Sequence, residues 1–218
     1  MSKNDKPQPG FLSTELANSI THGVACLLSI AGLVVLIVLA AKQGGARHVV
    51  ACSIYGATLV FLYLASTLYH SVTKPKVKRF FQIIDHSAIY LLIAGSYTPF
   101  MLISVRGGWG WSVFGVVWTL ALLGIVYKSL FMGRFKIFSV TLYLFMGWMS
   151  LMVLKPLLAV LPVGGVIWLA VGGVFYTVGV VFFVWESFPH HHAIWHLFVM
   201  AGSACHFFSV MFYVLPTN

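Results

Sequence analysis

Acidic side chains are scarce in this chain: its 218 residues include only Asp5, Glu15, Asp85 and Glu186, against 13 Lys and Arg. Charged residues of both signs make up only 8% of the sequence, too few to cover the surface of a soluble domain of this length. Cysteine is equally sparse. Cys26, Cys52 and Cys205 are odd in number, lack CxxC spacing and fall within apolar segments, which excludes a disulfide framework and a thiolate cluster and leaves small buried packers. There is no internal repeat and no low-complexity tract. What fills the sequence is apolar: 60% of residues are hydrophobic and the mean hydropathy is +0.96.

A membrane-crossing helix needs roughly 20 mostly apolar residues. On that measure seven segments qualify, at about 17–41, 49–70, 83–104, 111–131, 137–154, 164–185 and 193–215. The predicted fold is an all-α membrane protein, a seven-transmembrane helix bundle, with residues 1–14 as a flexible cytoplasmic leader and 15–218 as a single domain. The first apolar run is too long for a signal-peptide core and six more follow it, so it is expected to be retained as a span. Gly164, Gly165, Gly172 and Gly173, with Gly202, Ser203 and Ala204, are expected to allow close packing of the last two spans.

Loop charges set the orientation, because Lys and Arg are retained in the cytoplasm. Lys3, Lys6, Lys74, Lys76, Lys78, Arg79, Lys128, Arg134 and Lys136 fall on one side; Lys42, Arg47, Arg106 and Lys155 fall on the other. The N-terminus is therefore expected in the cytoplasm and the C-terminus outside. The net charge of +9 follows the loop topology and forms no stacking platform, so it reads as contact with anionic headgroups and nucleic acid is not an expected partner.

That topology brings certain polar residues to one membrane level. His70 closes the second span, Asp85 opens the third, and His192 and His196 open the seventh, all at the cytoplasmic end. Ionisable groups near hydrocarbon are costly and need a partner or a function. His192 and His196 are four apart, on one helical face, whereas His190 and His191 point away from it. Ser66 stands one turn before His70. Three imidazoles with an open fourth position are the ligand set of a catalytic zinc. On this reading His70, His192 and His196 bind Zn2+, and Asp85 acts as the base for a water molecule. Ser66 bonds that water or a developing oxyanion, and Glu186 is a further candidate counter-charge. The alternatives are a metal-free hydrogen-bond network for the quartet and, for Ser66, a bond to its own helix backbone.

Other polar residues receive simpler readings. Glu15 is expected in the first helical turn, complementing the dipole, with Asn18 and His22 continuing its face as packing. His48 is placed in an outside loop without a role. His206 lies about 15 Å beyond His196 along a helix and is expected to be buried and hydrogen-bonded.

At these positions the chain resembles a known family. Glu15-Leu-Ala-Asn18-Ser-Ile-Thr21-His22, Ser66-Thr-Leu-Tyr-His70, Asp85 with Gly95-Ser96-Tyr97-Thr98-Pro99-Phe100, and His192-Ala-Ile-Trp-His196 are similar to successive motifs of the progestin and adipoQ receptor superfamily, most closely its bacterial branch, the hemolysin III family. The resemblance implies seven helices, an inside N-terminus in a bacterial inner (plasma) membrane, and zinc on His70, His192 and His196 with Asp85 and Ser66 beside it. Relatives among the adiponectin receptors are associated with zinc-dependent hydrolysis of ceramide-like amides, and the bacterial branch with haemolysis and membrane-lipid homeostasis. His86, after the aspartate, departs from the receptor pattern, so hormone recognition is not carried over.

Two functions are thus expected to compete. One is an intramembrane zinc hydrolase acting on a membrane-lipid amide or ester. The other is a non-enzymatic sensor or pore-former with a structural zinc. The open coordination position and the carboxylate and hydroxyl beside it favour chemistry.

Overall fold

The structure, a computed structural model, describes residues 11–215, with side chains from Ser13 onward. Among these residues there are helices and no strand. The leader expected at 1–14 lies mostly outside them; its last four residues begin the first helix.

The helices are α1 (Phe11–Gln43), α2 (Ala46–Ser71), α3 (Pro75–Pro99), α4 (Gly107–Phe131), α5 (Lys136–Trp148), α6 (Leu154–Val160), α7 (Val163–Val184) and α8 (His191–Ser209). A 3₁₀ turn, Met149–Val153, joins α5 to α6, so together they make one crossing; among the described residues seven segments are long and apolar enough to span a membrane. Four of the expected boundaries need correction: the first and fourth spans each begin four residues early, at Ser13 and Gly107, and two others differ by more. The third helix begins at Pro75, eight residues before the expected start of its span at 83, because proline is well tolerated in the first turn and the basic residues that follow continue the helix. The fifth extends to Val160, not 154, because the 3₁₀ turn leads directly into α6, which takes Lys155 and Pro156 in its first turn, where proline is tolerated.

Helix α3 is the most enclosed span, with 67% of its apolar window buried, and it carries Asp85. Pro99 has no N–H for the helical ladder, and the backbone beyond it widens into a π-helical turn, Phe100–Val105. The Arg106 N–H closes that turn on the Met101 carbonyl at 3.1 Å. By contrast only 11% of the α7 window is buried, as suits a helix facing lipid.

Sequence neighbours pack together from α1 to α4, α7 packs along α8, and α8 returns to touch α1. The α7–α8 approach depends on glycine: a Cβ on Gly172 would meet the His206 ring at 2.4 Å and the Gly202 carbonyl at 3.1 Å. The α1–α8 contact brings the first and last spans to the same site.

Candidate metal centre

His70 occupies the last turn of α2, and His192 and His196 lie one turn apart at the start of α8. Their ligand-capable atoms all lie within 4.8 Å of one another. Ring centres are 4.7 Å apart for His192–His196, 5.1 Å for His70–His192 and 5.2 Å for His70–His196. His70 and His196 are buried and His192 is half-buried. A tetrahedral zinc with bonds of 2.0–2.1 Å holds its ligand nitrogens about 3.4 Å apart, so modest side-chain rotations close this set. Nε2 of His70 is buried without a hydrogen-bond partner, as a nitrogen waiting for a metal would be. The donor set fits zinc.

The turn into α8 selects these histidines over their neighbours. Pro189 precedes His190, which caps the helix in the left-handed region at φ 52. The His191 ring is tied by Nδ1 to the Phe182 carbonyl at 3.0 Å. Neither belongs to the cluster.

Ser66 and Asp85 line the same cavity as His192 and His196. Ser66 is buried, with the Asp85 carboxylate as the hydrogen-bond acceptor beside its hydroxyl. It does not bond its own helix, unlike Thr67, which does so at 2.7 Å.

A layer of α1 residues that sequence reasoning assigned elsewhere surrounds the histidines. Glu15 is not in the first turn of α1; its Oε2 meets His70 Nδ1 at 3.2 Å and Lys78 Nζ at 2.6 Å. Asn18 Nδ2 lies 3.5 Å from the same His70 nitrogen. Thr21 Oγ1 is 3.2 Å from His196 Nδ1. His22 is buried against the His196 ring, with both of its nitrogens unpartnered. Spacings of three and seven along one face were the available signal, but such a stripe also describes ordinary packing.

Glu186 is not a counter-charge for this centre. It is exposed beyond α7, where a hydrogen bond from Lys136 Nζ holds its carboxyl below the usual range. His48 is not in a loop: it sits in the first turn of α2, and its Nδ1 accepts the Gly45 N–H at 3.3 Å. His206 packs edge-on against Tyr176 with ring centres 5.4 Å apart, and its ring meets the Leu169 backbone in a hydrogen bond, as expected.

A cavity of about 200 Å³ opens from the centre into the bundle. His22, Ser66, Asp85, His192 and His196 line one part of it; Leu92, Leu144, Leu157, Leu169 and Met101 line the rest. His192 and His206, both in its wall, are separated by about 21 Å of helix at 1.5 Å per residue. A polar head thus joins a long apolar body.

With that arrangement in view, residues 11–207 match the family described as haemolysin-III related. The chain belongs to this family. It is 52% identical over 207 residues to "Hemolysin-3" of Bacillus cereus, covering 95% of this chain and 94% of that protein. It is 50% identical over 202 residues to "Hemolysin-3 homolog" of Bacillus subtilis (strain 168), covering 93% and 95%. A more distant relative is the human "Monocyte to macrophage differentiation factor", 34% identical over 176 residues, covering 76% of this chain and 71% of that protein. No solved structure matches the chain. The chain is therefore a haemolysin-III-like, multi-pass integral membrane protein whose fold gathers three histidines into a possible metal-binding cluster.

Proposed function

We propose that this protein is a zinc-dependent intramembrane hydrolase that cleaves an amide or ester in a membrane lipid. The observation that carries the reading is the junction of His70, His192 and His196 with Asp85 and Ser66 at the head of an apolar cavity. Zinc on these imidazoles supplies a Lewis acid that makes water nucleophilic near neutral pH.

The chain's own residues supply the rest. The apolar cavity wall holds an acyl chain and excludes bulk water. The Asp85 carboxylate takes a proton from the attacking water and returns it to the leaving amine or alcohol. The Ser66 hydroxyl, held beside Asp85, donates to the oxygen on which negative charge develops at the scissile carbonyl. The proposed orientation, with the N-terminus in the cytoplasm of a bacterial inner membrane, puts this chemistry where lipid and water meet.

A second reading has one observation in its favour. The histidines come from α2 and α8, so zinc there would also clasp two distant spans. In that case the protein is a lipid-state sensor or a pore-former. The experiment that separates the readings measures zinc in purified wild type and His196→Ala, together with lipid profiles of cells carrying wild type, His196→Ala or Asp85→Asn. Loss of one lipid class with accumulation of its hydrolysis products in wild type alone supports the hydrolase. Zinc binding with identical lipid profiles in all three supports the clasp.

A further inference from the structure

We propose that Glu15 and Thr21 on α1 are positioning residues that fix the tautomers of His70 and His196, leaving each Nε2 lone pair free for the metal. The inference rests on the zinc reading above and extends it to a helix that contributes no ligand.

The hydrogen bonds determine which nitrogen carries the proton. An ionised carboxylate only accepts, and Glu15 Oε2 lies 3.2 Å from His70 Nδ1, so that nitrogen carries the hydrogen. The other nitrogen, Nε2, is the one that is buried and unpartnered. Thr21 gives the same result by another route. Its Oγ1 lies 2.9 Å from both the Ala17 and Asn18 carbonyls, so its hydroxyl hydrogen is directed back to its own helix. Its lone pair then accepts from His196 Nδ1 at 3.2 Å. Both histidines are set in one tautomer from one helix face.

Two further groups complete the support. Lys78 on α3 donates to Glu15 Oε2 at 2.6 Å and to the Tyr69 carbonyl at 3.4 Å, pinning the carboxylate between α2 and α3. The Asn18 amide has Nδ2 at 3.5 Å from His70 Nδ1; turned over, it would present Oδ1 as a second acceptor for the same N–H. A carboxylate or other acceptor behind a histidine ligand orients the ring and raises its basicity, and losing it weakens metal binding roughly 10- to 100-fold.

The test is zinc affinity of the full chain in lipid nanodiscs, measured by chelator competition, with the absorption of the Co2+-substituted chain as a probe of ligand geometry. Glu15→Ala and Thr21→Val are expected to bind zinc roughly 10- to 100-fold more weakly than wild type, with an altered cobalt spectrum. Glu15→Gln and Thr21→Ser, which keep an acceptor, are expected to recover most of the affinity. Ser19→Ala, on the same helix, removes a hydroxyl that pairs with Ser71 and is expected to change neither readout. Wild-type affinity in Glu15→Ala and Thr21→Val overturns the inference, as does an equal loss in Ser19→Ala. A folded wild type that binds neither metal overturns instead the zinc reading on which it rests. If Glu15→Ala does not fold, the Thr21→Val and Thr21→Ser pair decides the matter.

Discussion

The imidazole of His22 lies flat on that of His196, with ring centres 3.5 Å apart and planes 12° apart. Tyr63 meets the His22 ring edge-on at 5.0 Å, so the stack is braced between α1, α2 and α8. His22→Ala removes the plate that holds the His196 ring in plane. It is expected to weaken zinc binding by about tenfold, the lower end of the range for groups supporting a ligand. His22→Phe keeps a flat ring and is expected to stay near wild type. Chelator competition on the purified variants checks both; equal losses in the two would assign His22 a polar role instead.

Asp85 separates turnover from metal retention. Asp85→Asn is expected to keep about one zinc per chain and a folded bundle while losing lipid hydrolysis by roughly 10² or more, the usual contribution of general acid-base catalysis. His196→Ala should lose both. Elemental analysis and product formation on the same preparations provide the check. An Asp85→Asn cell phenotype indistinguishable from wild type, alongside a null His196→Ala, would favour the structural clasp.

Orientation can be tested directly. Nine of the 13 basic residues fall on the expected cytoplasmic side, and seven crossings put the termini on opposite sides. A reporter fused at Met1 should read as cytoplasmic and one after Asn218 as periplasmic or extracellular. Two ends reporting the same side would contradict the number of crossings.

The Lys136–Glu186 pair predicts a pH dependence. The hydrogen bond and charge of Lys136 lower the Glu186 carboxyl below its ordinary value of 4.5. A carboxyl depressed in the folded state contributes stability above its unfolded value, and that contribution is lost as the pH falls through the folded value. Glu186→Gln should therefore melt slightly below wild type at neutral pH and together with it once both carboxyl forms are protonated. The effect should be small, because the pair is exposed. Melting curves at several pH values, followed by circular dichroism, would check it.

The crossings were legible in the sequence because hydrocarbon demands long apolar helices, and the clustering of His70, His192 and His196 because they fall at span ends and two of them are four residues apart. Helix ends were less legible. Proline in the first turn of α3 and a 3₁₀ turn before α6 extend helices through residues whose polarity resembles a loop. The roles of Glu15 and Thr21 depend on the α1–α8 contact, a relation between the two ends of the sequence that no local pattern encodes. Glu186 illustrates the opposite case: an acidic residue scarce enough to invite a metal role, yet bound to Lys136 by the fold of the α7–α8 connection.

The meeting of α1 and α8 bears on biogenesis. His70 is synthesised early and His192 and His196 near the end, and the residue that braces His196 is Thr21, in the first crossing. A chain still being inserted therefore cannot assemble the cluster, whatever the local metal supply. On the proposed zinc reading, metal capture becomes a record that the last crossing has entered the bilayer and found the first, and an aborted insertion product should pass through purification without zinc.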